Sequence, residues 1–426
     1  MMKILNNAKE ITKRKLAIAI TRTQKLIWQS CQSPSLRLSD KAFTRERKLG
    51  AMKILQIILY RIYHSLQLVL DNYFDSIDGV PVSKQAFSKA RKHLNPEYVR
   101  MFADMTSEIA AGDEERSTYK GMALVAIDGS GAALENTPEL KEAFGCSGSK
   151  ADAATALFSI ALDPLNRTIY DCRIDSYDKD ERVLAKAHAA RLLELGLGGS
   201  ILLFDRWYPS AEFIAFLYET GFHFVMRVRN KFNLEADAIK KQGWIKLKHE
   251  GKEYSVRVLK VKLPTGEIET LFTSLKQKKL PISEAGDLYF MRWGVETAYD
   301  VIKSKLELES FSGKTKVSVL QDFYATIYLA NIIAFAAEEA DEIITEADKD
   351  KDLKYARKAS RNRCVSKFRN VFLHLILEPN EQKRDELLDS LVADIARYPI
   401  SIVPGRSPDR KSPRKKRFYQ SRRSVV

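Results

Sequence analysis

Apolar positions along the chain change texture twice. Over the first 120 residues or so they recur at helical spacing. Lys53 to Phe74, KILQIILYRIYHSLQLVLDNYF, keeps its charges near the ends and predicts a helix. In GVPVSKQAFSKARKHLNPE, Ser83 is placed to cap a short helix that Pro96 cannot continue. From residue 121 the apolar runs shorten. MALVAID (Met122 to Asp128) is a compact strand ending in an acid, and TALFSIALD and RTIYDCRID, split by Pro164 and Asn166, predict two paired strands. ERVLAKAHAARLLELGLGG is a helix closed by glycines. SILLFD is a strand ending in Asp205, PSAEFIAFLYETG a helix and HFVMRVRN a fifth strand. Three strands, then helix, strand, helix, strand, predict a mixed α/β unit around a central sheet.

The order then breaks. WIKLKHEGKEYSVRVLKVKLPTGEIETLFTSL alternates with period two around EGK and PTG turns and predicts an antiparallel β insertion. YFMRWGVETAYDVIKSK (residues 289–305) predicts one amphipathic helix opening near Pro281 and Ser283. At about 3.6 residues per turn, Met291, Val295, Ala298, Ile302 and Leu306 form an apolar stripe, while Tyr289, Arg292, Glu296 and Lys303 share an arc of roughly sixty degrees. A solvated outer face explains the stripe, but not one carboxylate set between cations along a line. FYATIYLANIIAFAA (Phe323 to Ala337) is shorter than the roughly 20 residues of a membrane span and reads as a buried helix. The acidic EEADEIITEADKDKD and a helical tail follow, then PGRSPDRKSPRKKRFYQSRRSVV, the Pro- and Arg-rich type of tail that binds polyanions. The expected domains are a helical N-terminal region (1–120), a core in two parts (121–230 and 277–345) split by a β insertion (231–276), and a helical C-terminal region with a basic tail (346–426).

Composition narrows the class. Of 426 residues, 45% are hydrophobic and 29% charged, which suits a globular chain and not a disordered one. Lys and Arg number 70 against 55 Asp and Glu, a net charge of +15 that favours a polyanionic partner such as nucleic acid. Lys84, Lys89 and Arg91 on the short basic helix therefore have two readings, contacts from a helix in a DNA groove or a solvated surface. The four cysteines are scattered without a C-x-x-C pair, which points to a reducing compartment. The N-terminal segment lacks the apolar core of a signal peptide, so a cytoplasmic, nucleoid-associated protein without a membrane role is expected.

The candidate chemistry rests on three carboxylates. Asp128 and Asp205 each end a short apolar strand, and ligands gather at the carboxyl ends of strands in such sheets. On neighbouring strands the two acids would repel unless a proton or cation sat between them. With six scattered His and no H-E-x-x-H, the donors suit Mg²⁺ or Mn²⁺ rather than zinc. Glu296 would be the third ligand needed for two ions, which together drive in-line phosphoryl displacement. Arg292 and Lys303 can hold phosphates on either side of the cut, and Tyr289 can bond a phosphate or stack on a base.

Tyr289-x₂-Arg292-x₃-Glu296-x₆-Lys303 resembles the Tyr-Arg-Glu-Lys signature of bacterial insertion-sequence DDE transposases with a β-rich insertion. The likeness extends to DGSGAALENTPELKEAFG, FDRWYPS and LELESFSG, and covers roughly residues 80 to 335. It implies an RNase H-like α/β core, cut-and-paste movement of an element with inverted terminal repeats, and two subunits holding two ends. Asp128, Asp205 and Glu296 would be catalytic and hold Mg²⁺, with Tyr289, Arg292 and Lys303 at the cleaved DNA end. Trp244 in the insertion has two readings, a stack for a flipped base or the core of its β unit. Arg206, Glu181 and Arg182 can meet a phosphate or pair with surface groups. The competing functions are a hydrolytic nuclease without strand transfer and a silent DNA-binding regulator; a tyrosine recombinase lacks its Arg/His cluster here.

Overall fold

The computed structural model describes residues 14–403 apart from 46, 61–64, 149–151 and 264–265. It separates into two compact units, one of Ala110–Ser304 with Lys314–Lys316, the other of the chain up to Ile109 with Lys305–Gly313 and the chain from Val317 onward.

The first unit is built on a nine-stranded mixed sheet. Its strands are β1 (Leu124–Ala133), β2 (Cys146–Ser147), β3 (Ala153–Asp163), β4 (Thr168–Ser176), β5 (Ile201–Phe204), β6 (His223–Val228), β7 (Gln242–His249), β8 (Lys252–Lys262) and β9 (Ile268–Thr273). The order is β2-β3-β1-β5-β6-β9-β8-β7, with β4 also on β3. β1, β3 and β4 form an antiparallel meander, and β5 and β6 then run parallel to β1. Parallel neighbours need crossovers. These are supplied by α2 (Glu181–Glu194) and α3 (Ala211–Glu219), while α1 (Pro138–Phe144) follows β1. This is the RNase H-like core that the resemblance implied. β3 is buried at all eleven positions, which is why TALFSIALD carries no period-two signal.

The EGK turn closes β7 onto β8, with Glu250 and Gly251 both at positive φ (46° and 77°), as a type I′ hairpin requires. β9 then pairs with β8 on one side and β6 on the other. The insertion therefore continues the central sheet instead of forming a sheet of its own.

The signature segment is not one helix. It divides into α4 (Ile282–Phe290), a turn at Met291 and Arg292, α5 (Trp293–Asp300) and a π-helical stretch, Val301–Lys305. Around the break the N–H groups of Arg292, Gly294 and Val295 bond three residues back, at 3.0, 2.9 and 3.0 Å, which tightens the turn. Gly294 permits it: a Cβ there would lie 2.9 Å from Cβ of Pro164, in the β3–β4 turn. The sixty-degree arc drawn for an unbroken helix is thus spread over two short helices and the turn between them.

The second unit is helical, with Lys15–Gln32, Ala51–Tyr60, Leu66–Asp75, Lys84–Arg91, Lys316–Asp348, Arg361–Leu377 and Glu381–Ala396 among its helices. The run from Lys53 to Phe74 falls on two of these, and Ser65 caps the second by accepting from Leu68 N–H at 3.3 Å. Lys316–Asp348 spans 33 residues and is long and apolar enough to cross a membrane, but 83% of its apolar window is buried, as in a core helix. Ser83 caps Lys84–Arg91 as expected, accepting from Ala86 N–H at 3.2 Å. The basic tail from residue 404 lies outside the described residues.

Candidate active site

The sheet register brings Asp128 and Asp205 together. β1 and β5 pair in parallel from Leu124↔Ile201 to Ala126↔Leu203. Two residues further on stand Asp128, still within β1, and Asp205, just past the end of β5, near enough for the charge of one to act on the other. Asp205 directly follows Phe204, the last residue of β5, and its Oδ1 accepts from Trp207 N–H at 2.7 Å. Asp128 is not the end of its strand, because β1 runs on to Ala133 along β3 alone. The parallel pairing stops there and leaves one edge of Asp128 open.

The Asp128 backbone is held from two sides. Its carbonyl accepts from the Tyr299 hydroxyl at 2.5 Å and the Ser159 hydroxyl at 2.9 Å. Behind Ser159, buried His188 has Nε2 3.0 Å from the serine Oγ and Nδ1 2.8 Å from Asp171. This buried chain of hydrogen bonds braces the carbonyl on which it ends.

A third carboxylate joins the pair. Glu181 opens α2, and its Oε2 accepts from the buried Tyr208 hydroxyl at 2.9 Å. A Cβ on Gly129 would lie 2.8 Å from Glu181 Cδ, so the glycine after Asp128 makes room for this carboxylate. Burial raises the Asp128 carboxyl from 3.8 to about 7, with Arg292 opposing and the negative charges of Asp205 and Glu181 adding to the rise. Burial also raises Glu181, again with Asp205 contributing. Glu181 has no distinct role on sequence reasoning alone; the signal is Gly129, a residue that admits close approach, paired with an acid at a helix start.

Arg292 connects this cluster to Glu296. Its guanidinium lies 3.4 Å from Asp128 Oδ2 and 3.3 Å from Glu296 Oε1. Arg292 and Tyr289 are buried, 7% and 4% exposed, and not on an open polar face as the helical wheel suggested. The guanidinium lies 5.8 Å from the Tyr289 ring centroid. Glu296 is turned outward and tied to Arg292. Among the described residues no three His, Cys, Asp or Glu side chains are gathered closely enough to hold one ion. Lys303 reaches back to β1, donating to Ser130 Oγ and the Gly131 carbonyl, both at 2.7 Å. It sits in the π-helical stretch, a distortion frequent at functional sites.

The other candidates divide. Arg206 is exposed beside Asp205. Trp244 is 52% exposed on β7, in a groove with Lys246 and Lys248, and is not the core of the insertion. In the helical unit, Lys84 and Lys89 are exposed. Arg91 requires correction as a DNA contact. It is 1% exposed, paired with Asp322 at 2.7 Å, and donates to Gln321 at 2.7 Å. Its charge is consumed inside the unit.

Asp128 and Asp205 beside the parallel β1–β5 pairing, with Glu181 next to them and buried Arg292 bridging Asp128 to Glu296, define a carboxylate-centred site on the mixed sheet. The chain belongs to the transposase DDE domain family, whose model matches residues 119–332. It is 23% identical over 274 residues to the transposase InsG for insertion sequence element IS4 of Escherichia coli (strain K12), covering 60% of this chain and 61% of that one. The chain thus spans about three fifths of the length of this curated relative. Among solved structures, the piggyBac transposase in a cryo-EM synaptic complex with hairpin DNA aligns with a TM-score of 0.49 at 12% identity, over 95% of this chain and 89% of that one.

Proposed function

We propose that this chain is a DNA transposase that cuts phosphodiester bonds at the terminal inverted repeats of a mobile element and joins the freed 3′-hydroxyl to target DNA. The observation that carries this reading is the register of β1 and β5, which sets Asp128 and Asp205 side by side. Family membership supports it.

The donor set fits a hard divalent cation such as Mg²⁺, with Mn²⁺ as a substitute. Asp128, Asp205 and Glu181 are oxygen donors whose mutual repulsion a cation relieves. Asp128 and Asp205 would hold it, with Glu296 as the third ligand once it exchanges its contact with Arg292. When bound, a pair of such ions activates a water or 3′-hydroxyl and stabilises the leaving oxygen. The chain's own part is positioning and proton management. Tyr299 and Ser159 fix the Asp128 backbone, so its carboxylate needs no reorganisation. Because the Asp128 carboxyl is raised to about 7, taking up a cation releases its proton near neutral pH. Arg292, freed from Asp128 and Glu296, and Lys303 supply phosphate contacts at the cut, and buried Tyr289 steadies Arg292. Arg206, Trp244, Lys84 and Lys89 are proposed further DNA contacts. Two chains would hold two element ends, in the cytoplasm where the DNA lies.

The test is cleavage of DNA carrying the element's own terminal repeats in Mg²⁺. Asp128→Ala, Asp205→Ala and Glu296→Ala are each expected to bind the repeats without cutting them. Variants that cut as well as the parent would sink the mechanism. Cutting without joined products on a target plasmid would reduce the protein to a hydrolytic nuclease, and binding without cutting by the parent would leave a silent regulator.

A further inference from the structure

Three polar side chains from three elements meet in the interior next to the Asp128 backbone. Ser159 on β3, Asp171 on β4 and His188 on α2 are all buried, and the cross-strand pairing of Ser159 with Arg173 brings a guanidinium to the same cluster. Burying so many polar groups is costly unless each finds a partner. A serine, a histidine and an acid in line also suggest a hydrolase's nucleophile, but Ser159 is fully enclosed and can reach no substrate. Its hydroxyl ends instead on the Asp128 carbonyl.

Counting protons along this chain fixes the charge of the ring. A carbonyl oxygen only accepts, so the 2.9 Å bond to Asp128 takes the single hydroxyl proton of Ser159. The serine oxygen then offers His188 nothing but lone pairs, and at 3.0 Å Nε2 must donate to it. At Nδ1 the partner is Asp171 Oδ2, 2.8 Å away, which also accepts from Arg173 Nε at 2.7 Å. A carboxyl beside a guanidinium is ionised, and Asp171 Oδ1 has no hydrogen-bond partner among the described residues to which a carboxyl proton could be given. Nδ1 therefore donates too. A neutral ring has one proton for these two bonds. It would have to take the other from Ser159, whose hydroxyl would then leave the Asp128 carbonyl.

We propose that His188 is a positioning residue, an imidazolium whose Nε2 proton keeps the Ser159 hydroxyl on the Asp128 carbonyl. A charged donor makes a hydrogen bond roughly twice as strong as a neutral one, and bonds in a chain strengthen one another. The Asp128 backbone is thereby held while the negative charges of Asp205 and Glu181 press on its carboxylate. This purpose rests on the transposase reading, in which Asp128 holds a cation; the proton count does not.

The experiment uses the full chain with isotope-labelled histidine ring nitrogens, in neutral buffer with chelator. NMR counts the protons on each ring nitrogen, and the His188 signals among the six histidines are those missing from His188→Gln. Both His188 nitrogens are expected to carry a proton in the parent. Ser159→Ala removes the acceptor at Nε2 and should leave a proton on Nδ1 alone. In a second arm, Mn²⁺ binding is titrated without chelator on the protein with the terminal repeat bound. Ser159→Ala and His188→Leu should each bind Mn²⁺ roughly 10- to 100-fold more weakly, the range for losing a group that orients a metal ligand. His188→Gln, whose amide N–H can replace Nε2–H toward Ser159, should recover most of the affinity, which a loss through packing alone would not. A single proton on the parent's His188 ring, or parent-like Mn²⁺ affinity in Ser159→Ala, overturns the proposal and leaves the transposase reading standing. A parent that takes up no Mn²⁺ overturns the cation reading, and the purpose given to His188 goes with it.

Discussion

Replacing Asp128 with Asn removes a charge that the site resists. Burial, opposed by Arg292 and reinforced by Asp205 and Glu181, lifts the folded carboxyl from 3.8 to about 7. Below about pH 4 the group is protonated in folded and unfolded chains alike, and its contribution is fully present. Between about pH 4 and pH 7 the unfolded chain gives up the proton while the folded one keeps it, so stability falls as pH rises, and then levels off. The full loss is about 4 kcal/mol, the shift converted at 1.36 kcal/mol per pH step. Asn has no proton to release. Denaturant unfolding in chelator, followed by hydrogen exchange of the β1 amides, should therefore find the two proteins nearly equal at about pH 4. By about pH 8 the Asp128→Asn protein should lead by about 4 kcal/mol. Mg²⁺ should close the gap by stabilising the parent alone. A gap that ignores pH, or an Asn variant that is the weaker at about pH 8, refutes the reasoning.

Three further outcomes are expected. Gly129→Ala would put a methyl 2.8 Å from Glu181 Cδ and should cost about 1–3 kcal/mol in thermal unfolding, most of it recovered when Glu181→Ala is added. Arg91→Ala strands buried Asp322 and should cost about 3–5 kcal/mol. Lys84→Ala and Lys89→Ala, by contrast, should leave stability within about 0.5 kcal/mol and lower the salt dependence of DNA binding by about one charge each.

What could be read from the residues was whatever neighbours in the chain decide. Strands β1 and β3 to β9 follow from apolar runs and period-two alternation, and the EGK and PLN turns from residues that favour tight turns, whereas the two-residue β2 carries no such signal. Asp128 and Asp205 were visible as acids closing apolar runs, and the parallel register does the rest. What was hidden depends on partners remote in sequence. Nothing around Arg91 indicates Asp322, and a basic helix with one buried arginine looks the same as one with none. The break at Met291 and Arg292 needs Gly294 against Pro164, a contact between segments 130 residues apart. Likewise the β9–β6 pairing joins the insertion to the core through a long-range ladder that alternation alone does not specify. The helical wheel failed for a related reason, because it assumed an unbroken helix where the hydrogen bonding tightens around Met291 and Arg292.

The pairing of Arg91 with Asp322, 231 residues apart, has a consequence for synthesis. At translation rates of roughly 5–20 residues per second, the arginine leaves the ribosome roughly 10 to 50 seconds before its partner. Apart from Lys314–Lys316, the unit of Ala110–Ser304 is one stretch of chain and can close in that interval. The helical unit must wait, its basic helix waiting with an uncompensated charge until the long apolar helix from Lys316 emerges. Truncated chains that end before Asp322 would thus carry a completed acid site and an unfinished helical unit, and a nascent chain can offer the first long before it can offer the second.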